Sequence, residues 1–135
     1  MRREFQLPER DVEFLDASGR DWETLRQGGQ AGGWLLIHQF PLFQGYNAQE
    51  VMVALQITPS YDTTEIDMAY VFPALSRTDG KGIPNLTFTI IDGRQFQRWS
   101  RHRSGDNRWR PGIDYVGTHL GLVESWFERE FTVRP

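Results

Sequence analysis

Short apolar or alternating stretches occur four times in the first part of the chain, each with the length and side-chain content of a β-strand. They cover residues 22–25, 34–40, 51–57 and 66–72. The glycine-rich segment 28–33 separates the first two stretches, and Pro73 ends the fourth. The pattern predicts a four-stranded antiparallel meander that begins with a hairpin.

A short helix is predicted ahead of the first strand. Pro8 suits the first turn of a helix, and Glu9 and Asp11 place negative charge near its N-terminus, where such charge is stabilising. This helix is expected to end near Ser18 and Gly19.

A longer amphipathic helix is predicted after Pro111. Apolar residues there recur at alternating steps of three and four, which places them on one helical face: Ile113, Val116, Leu120, Val123 and Phe127. Leu122 and Trp126 widen this stripe on the side where His119 lies. We expect the helix to pack on the sheet, so the predicted fold class is α+β.

The segment between residues 73 and 110 shows no sustained hydrophobic period. Its clearest regular element is a candidate short strand at residues 88–91. A segment of this length without regular structure is usually functional or contains short elements of its own.

Composition favours a single compact domain, expected to cover residues 1–135 with a core at about 7–131. Of the 135 residues, 39% are hydrophobic, and five Trp, nine Phe and four Tyr supply large core side chains. No apolar run approaches the roughly 18 residues of a membrane-spanning helix, and no signal-peptide core is present. The expected location is therefore the cytoplasm.

The chain contains no cysteine, which excludes disulfides, thiolate metal sites and any thioester formed on this chain. Its three histidines lie on separate predicted elements without the spacing of metal ligands. Neither a metal nor a cofactor is therefore predicted. His38 is expected to be a strand residue beside the core, and His119 a boundary residue at the edge of the helical stripe.

Three short motifs follow one another in an informative order. Pro-Ser-Tyr at 59–61 follows the third strand, Ile-Pro-Asn at 83–85 follows the fourth, and Trp-Arg-Pro at 109–111 leads into the second helix. This order resembles the ubiquitin-conjugating enzyme (E2) superfamily, in which a helix and a four-stranded meander precede a His-Pro-Asn motif, a catalytic cysteine, a Trp-x-Pro motif and a further helix. The resemblance implies a UBC-like fold.

The amino-acid sequences of several segments are more similar to one branch of this superfamily, the prokaryotic E2 family E. These segments are 7–15, 34–38, 41–47 and 91–103, and the resemblance extends over roughly 7–131. Such relatives are associated with bacterial ubiquitin-like systems that include an activating enzyme. The resemblance therefore implies a ubiquitin-like or multi-ubiquitin-like protein as a partner, with the activating enzyme as a further one.

The Ile-Pro-Asn motif departs from the family pattern. In active members its asparagine helps to stabilise the oxyanion formed when an amine attacks the thioester. Asn85 keeps that side chain, but Ile83 replaces the histidine and the thiol is missing. Asn85 is thus either a retained site residue or a turn-forming remnant.

A hydroxyl could replace the missing thiol only with an adjacent base. Ser100 is the main candidate, with His102 as its base, because the two residues share a face if residues 98–103 are extended. Thr87 and Thr89 are weaker candidates.

Six arginines occur within 17 residues, opposed only by Asp106 and interleaved with aromatic residues. Such a patch suits an acidic protein surface or a C-terminal tail, and the predicted partner contacts are Arg94, Arg98, Trp99, Arg101, His102, Arg103 and Trp109. Alternatively, several of these arginines pair with the acidic N-terminal region inside the monomer. Single-stranded nucleic acid is a third partner class, disfavoured by the net charge of −3.

The sequence as a whole predicts an E2-like protein that lacks the catalytic cysteine and acts as a non-catalytic partner of a ubiquitin-like protein, its activating enzyme or both. The main alternative is a transferase of the modifier that depends on Ser100. Binding of nucleic acid through the arginines and aromatic residues is the least favoured function.

Overall fold

The computed structural model describes residues 1–27 and 32–135. Its elements are α1 (Glu9–Ala17), β1 (Trp22–Leu25), β2 (Gly33–Pro41), β3 (Glu50–Ile57), β4 (Ala69–Phe72), β5 (Leu86–Ile91), β6 (Arg94–Trp99) and α2 (Val116–Val133). The strands form an antiparallel sheet in the order β1-β2-β3-β4-β6-β5. The predicted α+β class is confirmed.

The predicted meander corresponds to β1 through β4. β1 pairs with β2 from Trp22 opposite Ile37 onwards, as expected for a hairpin, although residues 28–31 of its predicted glycine-rich turn lie outside the described residues. β4 is shorter than predicted and begins at Ala69. Met68, immediately before it, has a φ of 57°, a left-handed conformation that interrupts an extended strand.

The sheet has two strands beyond the predicted meander, because β5 and β6 form a second hairpin whose outer strand, β5, lies at the sheet edge. The candidate short strand at residues 88–91 lies within β5, whereas β6 was not predicted. Asp92 and Gly93 connect them with φ values of 53° and 73°, the left-handed pair that a two-residue hairpin turn requires. β6 pairs with β4 and so joins the hairpin to the meander. Its arginines and glutamines interrupt the apolar pattern, which explains why residues 94–99 were not predicted as a strand.

α2 packs on one face of the sheet, as predicted. Val116, Leu120, Val123 and Phe127 from its apolar stripe are buried in the core between helix and sheet. Ile113 does not belong to this stripe, because it precedes the helix and is 53% exposed.

The opposite face of the sheet carries a second cluster of buried side chains, formed by Leu25, Trp34, Leu36, Ala54, Tyr70, Ile91 and Phe96. Contacts between the chain beside β1 and the tip of the β5–β6 hairpin close this face. Arg2 donates two hydrogen bonds of 3.0 and 2.6 Å to the carboxylate of Asp92. The Gln27 amide donates to the Ile90 carbonyl and accepts from the Asp92 backbone N–H, both at 2.8 Å. The sheet therefore curves around this cluster.

Each end of α2 is held by a charged residue from elsewhere in the chain. At the N-terminus, Asp11 accepts a 2.9 Å hydrogen bond from the Val116 backbone N–H. At the C-terminus, the buried Arg77 donates to the carbonyls of Glu130 and Arg134, where a cation also complements the helix dipole. These contacts fix α2 in place over the sheet.

We expect Asp11→Ala to lower the free energy of unfolding by about 1–2 kcal/mol, the usual cost of losing a helix-capping oxygen. The carboxylate is 1% exposed and also accepts a 3.0 Å bond from the Tyr61 hydroxyl, so its loss leaves two donors unpaired. Urea denaturation measures the change, with the exposed Glu13→Ala on the same helix as a control. Equal stability of the two variants would show that Asp11 does not cap α2.

Candidate functional site at the Pro-Asn turn

The Ile-Pro-Asn motif forms the turn that enters β5. Asn85 has a φ of 59°, a left-handed conformation that asparagine tolerates better than most residues. Its backbone carbonyl accepts a 3.1 Å hydrogen bond from the N–H of Ser100, the residue that follows β6. The β5–β6 hairpin therefore places Asn85 directly across from Ser100.

The predicted pairing of Ser100 with His102 is wrong. The Arg101 N–H bonds to the Trp99 carbonyl at 2.8 Å, so Ser100 is the central residue of a three-residue turn and the segment is not extended. The Nδ1 atom of His102 instead contacts a carboxylate oxygen of Asp67 at 2.8 Å. Among the described residues, the Ser100 hydroxyl has no hydrogen-bond partner that could serve as a base.

The prediction that Trp99 contacts a partner is wrong, because the residue is 0% exposed. Its ring lies edge-on to Phe127 with 4.9 Å between centroids, and its indole N–H donates to the Gln97 side chain at 3.0 Å. Trp99 is a core residue under α2. Its position on the inward face of β6 was hidden in the sequence because residues 94–99 were not predicted as a strand.

Four of the clustered arginines contact carboxylates within the chain. Arg94 lies 3.1 Å from Asp92, Arg101 lies 3.5 Å from Glu130, and both Arg103 and Arg110 contact Asp114, at 3.5 and 3.2 Å. The prediction of pairing inside the monomer is thus correct for these four arginines. Their partners lie in the β5–β6 turn, in the segment ahead of α2 and within α2. The predicted pairing with the acidic N-terminal region is wrong for them.

Asp114, which the sequence analysis did not single out, organises the loop between β6 and α2. Burial disfavours its charge, but hydrogen bonds from the Arg110 side chain and backbone outweigh this cost and lower the pKa of Asp114 to about 2. Thr118 and the charge of Arg103 act in the same direction. Asp114 is therefore a carboxylate at neutral pH.

Arg103 anchors the same loop from inside. Its side chain is only 5% exposed, so it holds the loop in place and is not free to contact a partner as predicted. It donates to the Asn107 carbonyl and to Nδ1 of His119, both at 2.9 Å. His119 is 0% exposed, so the prediction of a boundary position is wrong. The buried pair ties the loop to the first turn of α2.

Trp109 closes the other end of this loop. Its indole N–H donates to the Asp62 carbonyl at 2.8 Å, and its ring packs at 5.9 Å from that of Tyr61. The Trp-x-Pro and Pro-Ser-Tyr motifs thus meet in space. Between these anchors the chain presents His102 and residues 104–108 to solvent, a surface that we call the 102–110 loop.

The histidines have partners other than one another. His38 contacts Glu23 at 2.7 Å, and His119 donates from Nε2 to the Met68 carbonyl at 2.9 Å. Within residues 1–27 and 32–135, no group of three or more histidines and acidic residues is close enough to hold a metal ion. Neither helix in the described part of the chain has the length and apolar character to cross a membrane.

The model of the family described as Prokaryotic E2 family E matches residues 7–130 of the chain. Comparisons with curated proteins and with solved structures gave no match. The match covers both helices and all six strands up to the last turn of α2. The protein therefore belongs to prokaryotic E2 family E, as the order of its motifs indicated.

Proposed function

We propose that this E2-like protein is a non-catalytic partner of a ubiquitin-like protein, of its activating enzyme or of both. One observation carries the proposal: Asn85 lies across from Ser100, where neither a thiol nor a base-activated hydroxyl is present. The chain keeps the order of the E2 motifs but lacks the thiol that would carry the modifier. We take the whole chain, residues 1–135 with a core at 7–131, as the binding domain.

The binding surface that we propose combines Asn85 with the 102–110 loop. His102 and Arg108 are exposed there, and Asp67 holds the start of the loop through His102 and through the Arg103 backbone N–H at 3.2 Å. A surface held by buried ion pairs is preorganised, which lowers the entropic cost of binding. Arg98 and Arg94 lie on β6, away from this loop, and would contact only a larger partner.

We expect a stable complex without covalent modification when the protein is incubated with a ubiquitin-like protein and activating enzyme from its own genome in the presence of ATP. Intact-mass spectrometry detects an adduct, and a native pull-down detects the complex. Ser100→Ala should capture the partner as well as the unmodified protein does, because the hydroxyl makes no bond that holds the loop. An adduct that is lost in Ser100→Ala would overturn the proposal.

The alternative is a transferase that carries the modifier as an oxyester on Ser100. The observation in its favour is the same 3.1 Å contact between the Asn85 and Ser100 backbones, which brings a residue with a hydroxyl side chain opposite the asparagine of the motif. Thr87 and Thr89 lie within β5, on the neighbouring strand. An adduct that survives Ser100→Ala but is lost in Thr87→Ala or Thr89→Ala would assign the chemistry to β5.

Binding of single-stranded nucleic acid has less support. Phe96 and Trp99 are fully buried, so they offer no ring for a base to stack on, and four of the six clustered arginines already contact carboxylates. Retention on single-stranded DNA at low salt would be the result that favours it.

A further inference from the structure

A recess of about 160 Å³ opens between the C-terminal half of α2 and the segment that follows β6. It is lined by Arg101, Trp126, Arg129, Glu130, Val133 and Arg134, and we call it the arginine recess. Five of these residues recur on α2 at steps of three, one, three and one, so they form one continuous face of the helix. Arg101 faces them from the other side.

Three guanidinium groups share this recess with one carboxylate, an excess of two positive charges. Arg134 takes both oxygens of Glu130, with hydrogen bonds of 2.7 and 2.8 Å. Arg101 reaches the same carboxylate only at 3.5 Å, and Arg129 forms no ion pair with any residue that the structure describes. Positive charge therefore exceeds negative charge among the residues that line the recess.

The environment of Arg101 also indicates that positive charge in the recess is incompletely stabilised. Burial lowers the pKa of Arg101, and although Glu130 opposes this shift, the neighbouring Arg134 adds to it. A lowered pKa means that the surroundings stabilise the charged guanidinium less well than water does. An anion in the recess would restore that stabilisation.

The position of the recess links it to the Pro-Asn turn. Arg101 donates a 3.1 Å hydrogen bond to the Pro84 carbonyl, so the guanidinium group bridges the motif turn and α2. The recess therefore adjoins the turn that carries Asn85. Trp126 and the half-exposed Val133 add an apolar wall, which suits the backbone of a peptide better than a hydrated inorganic anion.

We propose that the arginine recess binds the C-terminal carboxylate of an extended peptide tail. Planar guanidinium groups pair with a carboxylate through two parallel hydrogen bonds, and Arg101 and Arg129 have donors to spare for this purpose. That the tail belongs to the ubiquitin-like partner rests on the proposed function. The recess itself is argued from charge and geometry alone.

Titration monitored by NMR tests the recess directly. The probes are an acetylated pentapeptide that ends in glycine with a free carboxylate, the same peptide with a C-terminal amide, and inorganic phosphate. We expect the free carboxylate to shift the Trp126 indole resonance and to bind at least about tenfold more tightly than the amide, roughly the value of one charge-assisted hydrogen bond. Trp126→Phe identifies the resonance.

Two arginine variants separate charge from geometry. Arg129→Ala should weaken binding of the carboxylate peptide about tenfold. Arg101→Lys keeps the charge but loses the planar fork, so it should weaken binding too. Arg26→Ala removes an exposed arginine that follows β1, outside both the recess and the 102–110 loop, and should have no effect. Equal affinity for the amide and the carboxylate, or tighter binding of phosphate than of the peptide, would overturn the assignment.

A parallel pull-down of the ubiquitin-like protein distinguishes failure of the recess from failure of the proposed function. Capture of that partner without binding of the carboxylate peptide would reject the recess and leave the proposed function supported. Binding of the peptide without capture of the partner would reject the proposed function and leave the recess as a carboxylate site. Loss of partner capture in Arg129→Ala but not in Arg26→Ala would support both.

Discussion

Replacing Trp99 by alanine is expected to lower the free energy of unfolding by about 3–5 kcal/mol, the range found when a fully buried aromatic residue is truncated. The indole has no exposed surface and packs between Phe127 of α2 and Tyr46, whose ring centroid lies 6.2 Å away. Truncation leaves a cavity beneath the helix and removes the hydrogen bond to Gln97. A partner contact on the surface would show a much smaller effect.

Urea denaturation measures this loss. Trp99→Phe should cost less, because it retains a ring against Phe127, and Phe88→Ala provides a matched control on the neighbouring strand. Phe88 is 56% exposed, so its truncation should change stability by no more than about 0.5 kcal/mol. A loss below about 1 kcal/mol for Trp99→Ala would contradict its position in the core.

Acidification from pH 7 to pH 4 is expected to remove about 3 kcal/mol of stability through His119 alone. Burial is the main cause that lowers the pKa of His119 from 6.5 to about 4, with a further contribution from the charge of Arg103. The unfolded chain therefore takes up a proton on His119 as the pH falls through 6.5, whereas the folded chain does so only near pH 4. Stability is fully present above pH 6.5 and is lost as the pH falls towards 4.

Hydrogen bonding accounts for the neutral state of this histidine. Arg103 is always a donor, so Nδ1 of His119 must accept, and the proton is on Nε2, which donates to the Met68 carbonyl. A second proton would place Nδ1–H against the guanidinium group. Protonation thus breaks the contact that holds the 102–110 loop to α2.

Unfolding curves at pH 7, 6, 5 and 4.5 test this prediction against His119→Gln, whose amide can make the same two hydrogen bonds without titrating. The wild type should lose about 2 kcal/mol more than the variant by pH 5. Asp114 and Glu130, whose pKa values lie below the usual range, titrate in both proteins, so their effect cancels in the comparison. A slope in His119→Gln equal to that of the wild type would contradict the role of His119.

Local pattern predicted those elements whose side chains alternate clearly between core and solvent. The meander and the apolar stripe of α2 follow from the periods of strands and helices, which depend only on nearby residues. The order of three motifs indicated the superfamily, and the residues of four segments indicated the family. The hairpin of β5 and β6 was missed although Asp92 and Gly93 form a favourable turn, because Gln97 and Arg98 made β6 resemble a polar loop.

The site was predicted less well than the fold. Proximity in the sequence suggested that Ser100 pairs with His102. The turn after β6 separates the two side chains, and His102 contacts Asp67 instead. Asp114 and Glu130 pair with three of the clustered arginines and lie up to 29 positions away along the chain. Pairing of charges across the fold depends on distance in space, which no local pattern contains.

The sequence by itself determined the fold class, the family and the absence of a thiol, because these depend on residue identity and short-range periodicity. Tertiary structure alone decided that Trp99 lies in the core and that His119 is a buried hydrogen-bond acceptor. It also decided that Arg101 faces a recess in which positive charge exceeds negative charge. Burial and charge balance result from packing among distant segments, so the free energy of each ionisable group is set only once the chain has folded.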